Sequence, residues 1–232
     1  MLTLAFDTST SFGSVVLFED DVILFEQSWL REKSHSEMLT NSIQQAFKSS
    51  ARKPHELKRL CVGVGPGSFT GIRVAVNVAR SLAYSLKLKV HCLDSFDLLA
   101  LAAGQVPTNQ NKLLGILDAY NNEIYFARFE KINSEWKRIS VSQSKTLKKF
   151  EFEILEPHLC VGEGYNQYEA LLTPEVKKFL VREHNVDHHP QVKFLGLKSD
   201  FLLHCPPPLV WNEVQALYIK ASAAEEKLKE FN

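Results

Sequence analysis

The sequence predicts an α/β protein of two lobes of the βββαβα type, one over residues 1–104 and one over 105–232, the second closed by a terminal helix. Three observations predict it. The chain opens with short apolar runs of strand length. A continuous apolar run, a glycine-rich turn and a long apolar-striped stretch follow, and the opening pattern then returns past the midpoint. A chain of 232 residues with 45% hydrophobic and 23% charged residues can bury a core of that size.

Residues 2–6, 14–18 and 22–26 have strand length, and Gly13 and the pair Glu19-Asp20 mark turns, so an antiparallel meander is expected. A helix follows from Ser34. Ser34 and Glu37 have capping-box spacing, and Leu39, Ile43, Ala46 and Phe47 fall on one face. Pro54 closes that unit. Residues 60–64 read as a continuous apolar strand, Gly65-Pro66-Gly67 as a turn, and about 70–86 as a long helix. Its stripe is Ile72, Ala75, Val76, Ala79, Leu82, Ala83 and Leu86. Val74 and Val78 add a second apolar flank, which either widens the core contact or offers a surface to another domain or partner. Residues 90–93 return as a strand, so the crossover is right-handed and parallel.

The polar stretch 105–112, with Pro107, marks the boundary. LLGILDAYNNEIYFARFE then echoes LTLAFDTSTSFGSVVLFE, with Asp118 matching Asp7 and Glu130 matching Glu19 at the same interval. Duplication of such a unit is the plan of the actin, Hsp70 and sugar-kinase (ASKHA, ribonuclease H-like) superfamily. Further strands are expected near 136–142 and 159–162. Pro206-Pro207-Pro208 breaks the chain before a terminal helix over about 212–231.

Lys plus Arg equals Asp plus Glu at 27 each, so no global field draws the chain to nucleic acid or an anionic membrane. The N-terminal segment lacks the basic start of a signal peptide, and no apolar stretch approaches the roughly 20 residues of a membrane span. Cys61, Cys92, Cys160 and Cys205 are dispersed, which fits buried reduced thiols and a cytoplasmic location.

Asp7, with Thr8, Ser9 and Thr10, ends a strand where a carboxylate and hydroxyls could face an interlobe cleft and orient a metal-bound nucleotide. The same residues also read as a turn satisfying its own backbone donors. The stretch CVGVGPGSFTGIR is no Walker loop, having no lysine after its glycines, and Gly71 arrives one position late for a dinucleotide fingerprint. A tight turn or a phosphate cradle remains. HNVDHH brings His184, His188 and His189 near Asp187, readable as metal ligands or, before Pro190, as a polar loop. Spacing assembles no catalytic nucleophile.

AFDTST at 5–10, HSEML at 35–39 and above all GPGSFTGIRVA at 65–75 resemble the TsaB (YeaZ) family. Weaker echoes lie in DAYNNEIYFARF and ALYIKASAAEE, and residues 131–210 depart from the pattern. The resemblance implies a non-catalytic subunit that pairs with the paralogue TsaD and, with the ATPase TsaE, supports transfer of a threonylcarbamoyl group to the adenosine beside the tRNA anticodon. It implies contact with tRNA only through the complex. It also implies no intrinsic cofactor, any ATP or ADP being held at the shared interface; a self-complementary apolar patch on the two first-lobe helices favours a homodimer when the partner is missing. Catalytic members carry an H-x-E-x-H motif, and here Ser95 and Leu99 stand where its metal-binding histidines would. Carried onto this chain, the partner surface falls on the two first-lobe helices, at His35, Met38, Leu39, Ile43, Arg73, Val74, Asn77, Val78 and Ser81. A charge at Val78 is expected to weaken that pairing without unfolding the protein. Two rivals are a stand-alone ASKHA-type nucleotide hydrolase or phosphotransferase holding nucleotide through Asp7, Thr8 and the 65–70 turn, with Ser9 also facing it, and a dinucleotide-dependent oxidoreductase.

Overall fold

A computed structural model describes residues 1–30, 34–197 and 206–220. Strands β1 (Leu2–Asp7), β2 (Phe12–Glu19), β3 (Val22–Leu30), β4 (Arg59–Gly65) and β5 (Val90–Asp94) form one sheet in the order β3-β2-β1-β4-β5. The first three are antiparallel, and β4 and β5 run parallel to β1. Helices α1 (His35–Ser49) and α2 (Phe69–Leu86) make the crossovers, and α3 (Ser95–Ala103) leads out of the sheet. Every residue of β1 is buried, as a central strand covered on both faces requires.

The second sheet repeats the plan. It consists of β6 (Lys112–Asp118), β7 (Glu123–Ile132), β8 (Glu135–Arg138), β10 (His158–Val161) and β11 (Leu180–Val181), in the order β11-β10-β6-β7-β8, while β9 (Gln143–Thr146) pairs with β7. Here β6 takes the position of β1, between its hairpin partner and a parallel neighbour. Glu19 and Glu130 each lie opposite the first residue of their hairpins, Leu2 and Lys112. The duplicated α/β architecture expected from the echo is therefore present in the strand order itself. Short helices α4 (Leu147–Glu151), α5 (Gly164–Tyr168), α6 (Pro174–Lys177) and α7 (Lys193–Leu197) fill out the chain.

Alternation sorts side chains into layers. Leu2, Leu4 and Phe6 pack against Leu39, Phe47, Ile72 and Ala79 of α1 and α2. Ala5 and Cys61 face the opposite way, toward Leu98 and Leu101 of α3 and Leu195 of α7. The other side of α3, with Phe96, Leu99 and Ala103, packs on Leu113, Leu117 and Phe129 of the second sheet. A helix apolar all round belongs between two layers, and the run FDLLALAA has that composition.

Two local expectations are corrected. Ser34 precedes α1, but its side chain makes no cap; its Oγ lies 2.7 Å from Ser36 Oγ, so the capping box does not form. Residues 211–220 are not helical either. They form a turn and then an extended strap whose backbone bonds to the first sheet, Leu217 N–H donating to Val64 O at 2.8 Å while Leu209 and Val90 exchange bonds. Val214 is buried beneath it. The rest of the expected terminal helix, 221–232, lies outside the described residues. Along with α7, the strap returns the late part of the chain to the first lobe.

Candidate functional site

Asp7 ends β1 with no exposed surface. Its Oδ1 accepts from the Ser9 N–H at 3.0 Å and the Ser9 hydroxyl at 2.9 Å, and Ser95 Oγ donates on to Ser9 at 2.8 Å. Oδ2 has no partner among the described residues. Burial pushes its pKa up to about 7, against the opposing pull of the Ser9 bonds. The glycines explain how so short a loop is enclosed. A Cβ on Gly63 would lie 1.6 Å from Asp7 Oδ2, one on Gly67 2.0 Å from Ser9 O, and one on Gly71 1.9 Å from Thr8 O. Thr8 Oγ1 donates to Gly71 O at 2.8 Å, and Ser68 N–H donates to Ser9 O at 2.6 Å. The glycine-rich stretch thus clasps the loop 7–9, and the Ser68 side chain caps α2 itself, accepting from Gly71 N–H at 3.3 Å. Of the two readings left open, the tight structural turn describes this contact. Gly63, within the strand run CVGVG, was the signal for the enclosure, since an isolated strand glycine marks close approach of another group.

At the root of α3, Ser95 and Leu99 are both fully buried, one bonded to Ser9 and the other in the apolar layer. The acid between them is held from the second lobe. Arg138 of β8 reaches Asp97 at 3.2 Å and Asp94 at 3.0 Å, and Ser142 donates to Asp94 at 2.9 Å. Burial and the neighbouring Asp94 push Asp97 up to about 7 despite Arg138, and burial likewise raises Asp94. Nothing in the spacing pointed to Arg138.

The cleft side of the loop carries a second junction. Ser11 Oγ donates to Glu163 at 2.5 Å, His189 Nδ1 lies 3.4 Å from the same carboxylate, and the His189 ring stacks on Phe12 at 4.7 Å. Burial works to raise Glu163, but the bonds from His189 and Ser11 outweigh it and hold the carboxyl below its usual range. His188 is pushed down to about 4 by burial, then by Arg182 and His189. His189 of HNVDHH thereby touches Phe12 of the first lobe and Glu163 of the second; among the described residues no group of three His, Cys, Asp or Glu is placed to hold a metal.

The nine residues expected on a partner surface divide into three sets. His35, Leu39 and Ile43 are buried; His35 Nε2 meets Thr10 O at 3.0 Å while Nδ1 accepts from Trp29 at 3.2 Å. These three belong to the interior, because the side of α1 they occupy packs on the sheet. Met38, Val74 and Val78 are half-buried at its edge. Arg73, Asn77 and Ser81 are exposed, and Arg73 is also tied to the strap, its Nε donating to Tyr218 OH at 3.0 Å. Among the described residues no helix is long and apolar enough to cross a membrane.

A family model described as TsaD, tRNA N6-adenosine threonylcarbamoyltransferase, matches residues 30–229. The chain belongs to this family, on its TsaB (YeaZ) side. It is 26% identical over 208 residues to the tRNA threonylcarbamoyladenosine biosynthesis protein TsaB of Bacillus subtilis, across 86% of this chain and 89% of that one. To TsaB of Haemophilus influenzae it is 31% identical over 136 residues, 57% of this chain and 56% of the relative. The solved structure of YeaZ from Pseudomonas aeruginosa superposes with a TM-score of 0.75 at 19% identity, over 94% of this chain and 99% of that one. The TsaB likeness stated on GPGSFTGIRVA is thereby shown, and the YeaZ superposition agrees with the duplicated fold.

Proposed function

We propose that this chain is a non-catalytic subunit in tRNA threonylcarbamoyladenosine biosynthesis, pairing with a TsaD-like catalytic paralogue and working with a TsaE-like ATPase. The observation that carries this reading is the pair Ser95 and Leu99. Both positions are fully buried, one spent on Ser9 and one on the core, so neither can present a donor to a metal. The intervening acid, Asp97, is spent on Arg138. The loop 7–9 does not fit a nucleotide–metal site either, since Asp7 Oδ2 faces the Gly63 backbone rather than open space. ATP or ADP would then sit at the interface with the partner rather than within this chain. Support for the partner surface comes from Arg73, Asn77 and Ser81, which stand exposed beside the half-buried Met38, Val74 and Val78.

The test is co-purification with the TsaD and TsaE proteins of the same organism, with tRNA modification assayed with and without this chain. Dependence of the activity on this chain, and no turnover by it alone, is the expected result. ATP hydrolysis or phosphate transfer by the isolated chain would replace the subunit reading with the stand-alone enzyme.

A further inference from the structure

One flank of α2 carries a row at helical spacing: Arg73, Asn77, Arg80, Tyr84 and Lys87. No acidic residue occurs anywhere in α2. The strap of residues 209–218 runs along this flank and supplies aromatic groups to it. Tyr218 packs on Phe69 at 4.8 Å, and the Arg73 guanidinium lies 3.7 Å over the same Phe69 ring. Farther along, Trp211 meets Tyr84 edge-on at 5.1 Å, and the Arg80 guanidinium lies 5.9 Å from the Trp211 ring. Two depressions follow one another between helix and strap, about 480 Å³ at Arg73 and Tyr218 and about 570 Å³ at Tyr84 and Trp211.

Exposure and charge single out this strip. Tyr84 is 66% exposed and Trp211 40%, although large aromatics more often bury most of their surface. Lys87 and Lys89 are exposed at the far end. Among the described residues, Arg73, Arg80, Lys87 and Lys89 join no ion pair, and no other strip of the first lobe sets such cations between exposed aromatic rings. Glu213, the only acid in the strap sequence, accepts from the Val210 N–H at 3.3 Å. Lys87 caps the C-terminal end of α2, where a cation also offsets the helix dipole. That role would explain Lys87, but it explains neither Arg73 and Arg80 within the helix nor the exposed rings between them.

We propose that this strip binds single-stranded RNA, with bases stacking on Tyr84, Trp211 and Tyr218 and phosphates meeting Arg73, Arg80, Lys87 and Lys89. Alternation of uncompensated cations with open aromatic faces is the chemistry that holds an unpaired strand, because every base offers a π-face and every linkage a charge. From Arg73 to Lys87 the helix rises about 21 Å, room for about six stacked nucleotides. A chain with no net charge can hold RNA only through such a local concentration of cations. The strip shares Arg73 and Asn77 with the proposed partner surface, so pairing would cover that end of it, and binding is tested on this chain alone, without the partner.

The probe is a fluorescein-labelled oligouridine of about 12 nucleotides, within the site-size range of single-strand binders, followed by fluorescence polarisation across a salt series. The variant Lys87→Glu with Lys89→Glu should weaken binding roughly tenfold and lower the log–log salt slope by about 1.4, the value for two lost phosphate contacts. Tyr84→Leu with Trp211→Leu keeps apolar bulk and should weaken binding roughly tenfold with the slope unchanged. Lys148→Glu with Lys149→Glu, exposed cations on α4, should leave both unchanged. Thermal melting of each variant keeps loss of fold separate from loss of contact. Absence of binding by the unaltered chain, equal weakening by the α4 pair, or equal competition by an oligoglutamate peptide would each overturn the proposal, the last by showing an acidic-peptide groove.

Discussion

Asp7 makes the loop 7–9 sensitive to pH. Its folded pKa of about 7 stands above the 3.8 of a free aspartate. The folded state therefore keeps a proton that the unfolded chain has released, so stability falls as pH rises from about 4 toward 7 and is level above that. Asp7→Asn removes this dependence while Oδ1 can still accept from Ser9. The stability difference between the native chain and the variant should change by on the order of 2–3 kcal/mol between about pH 5 and pH 8, in favour of the variant at the higher pH. Denaturant unfolding of both proteins at the two pH values checks it; parallel profiles would mean that Asp7 is ionised at pH 5. Gly71 offers a second measurement. An alanine there gains about 1 kcal/mol of helix propensity, but its Cβ would lie 1.9 Å from Thr8 O, a backbone atom that cannot rotate away. Overpacking of about 1–3 kcal/mol should win, so Gly71→Ala lowers the melting temperature. The sequence marked Asp7 and the glycines separately. Which glycine meets which loop atom was not legible, because the contacts join residues more than fifty positions apart.

Among the elements, β1 to β5, α1 and α2 were readable because each has a single strong period and a bounding glycine, proline or turn. β1, all six residues buried, follows from its continuous apolar run, and α2 from its stripe. The pieces beyond residue 131 gave no such signal. β8 and β9 are four residues long and half-buried, and α4 to α7 have four or five residues each, too short for a helical period to repeat. The strap at 209–218 was misread for the related reason that its backbone partners, Val64 and Val90, lie far away in the chain. The element whose role most exceeded its pattern is α3, pinned between the sheets and held at its start by Arg138. Removing that cation by Arg138→Ala would leave Asp94 and Asp97 half-buried side by side with no cation, Asp94 keeping only its bonds from Ser142 and the Phe96 N–H, at a cost of about 3 kcal/mol near pH 8. Near pH 5 the cost should be smaller, because Asp97, raised to about 7 even beside Arg138, would then be protonated. Unfolding free energies at both pH values test this; a cost independent of pH would assign the loss to packing of the Arg138 stem.

For the whole molecule, the duplicated strand order leaves α1 and α2 on the outer face of the first sheet, with their inner sides in its core and their outer sides free to meet another chain. Val78, suggested by its pattern as a probe of that face, is half-buried against the core, so a charge there would mix partner loss with destabilisation. Ser81 is the cleaner position, exposed one turn further on, with its hydroxyl bonded, among the described residues, to Asn77 O alone. Ser81→Glu should leave stability within about 0.5 kcal/mol of the native chain, as surface substitutions do. Affinity for the TsaD-like partner should fall roughly tenfold, the equivalent of about 1.4 kcal/mol for an introduced charge denied full solvation. Titration calorimetry with the partner and melting of the isolated variant give the two readouts. Native affinity in a folded variant would remove this flank of α2 from the partner surface. A homodimer of the isolated chain through the same face would supply an internal control. In a two-fold homodimer each substitution occurs twice across one self-complementary patch, whereas a heterodimer contains it once. If both assemblies use the face, the free-energy cost in the homodimer is about double, so a tenfold loss for the heterodimer corresponds to roughly a hundredfold loss for the homodimer. Sedimentation equilibrium of the isolated variant measures that ratio, and equal losses in the two assemblies would mean that they use different surfaces.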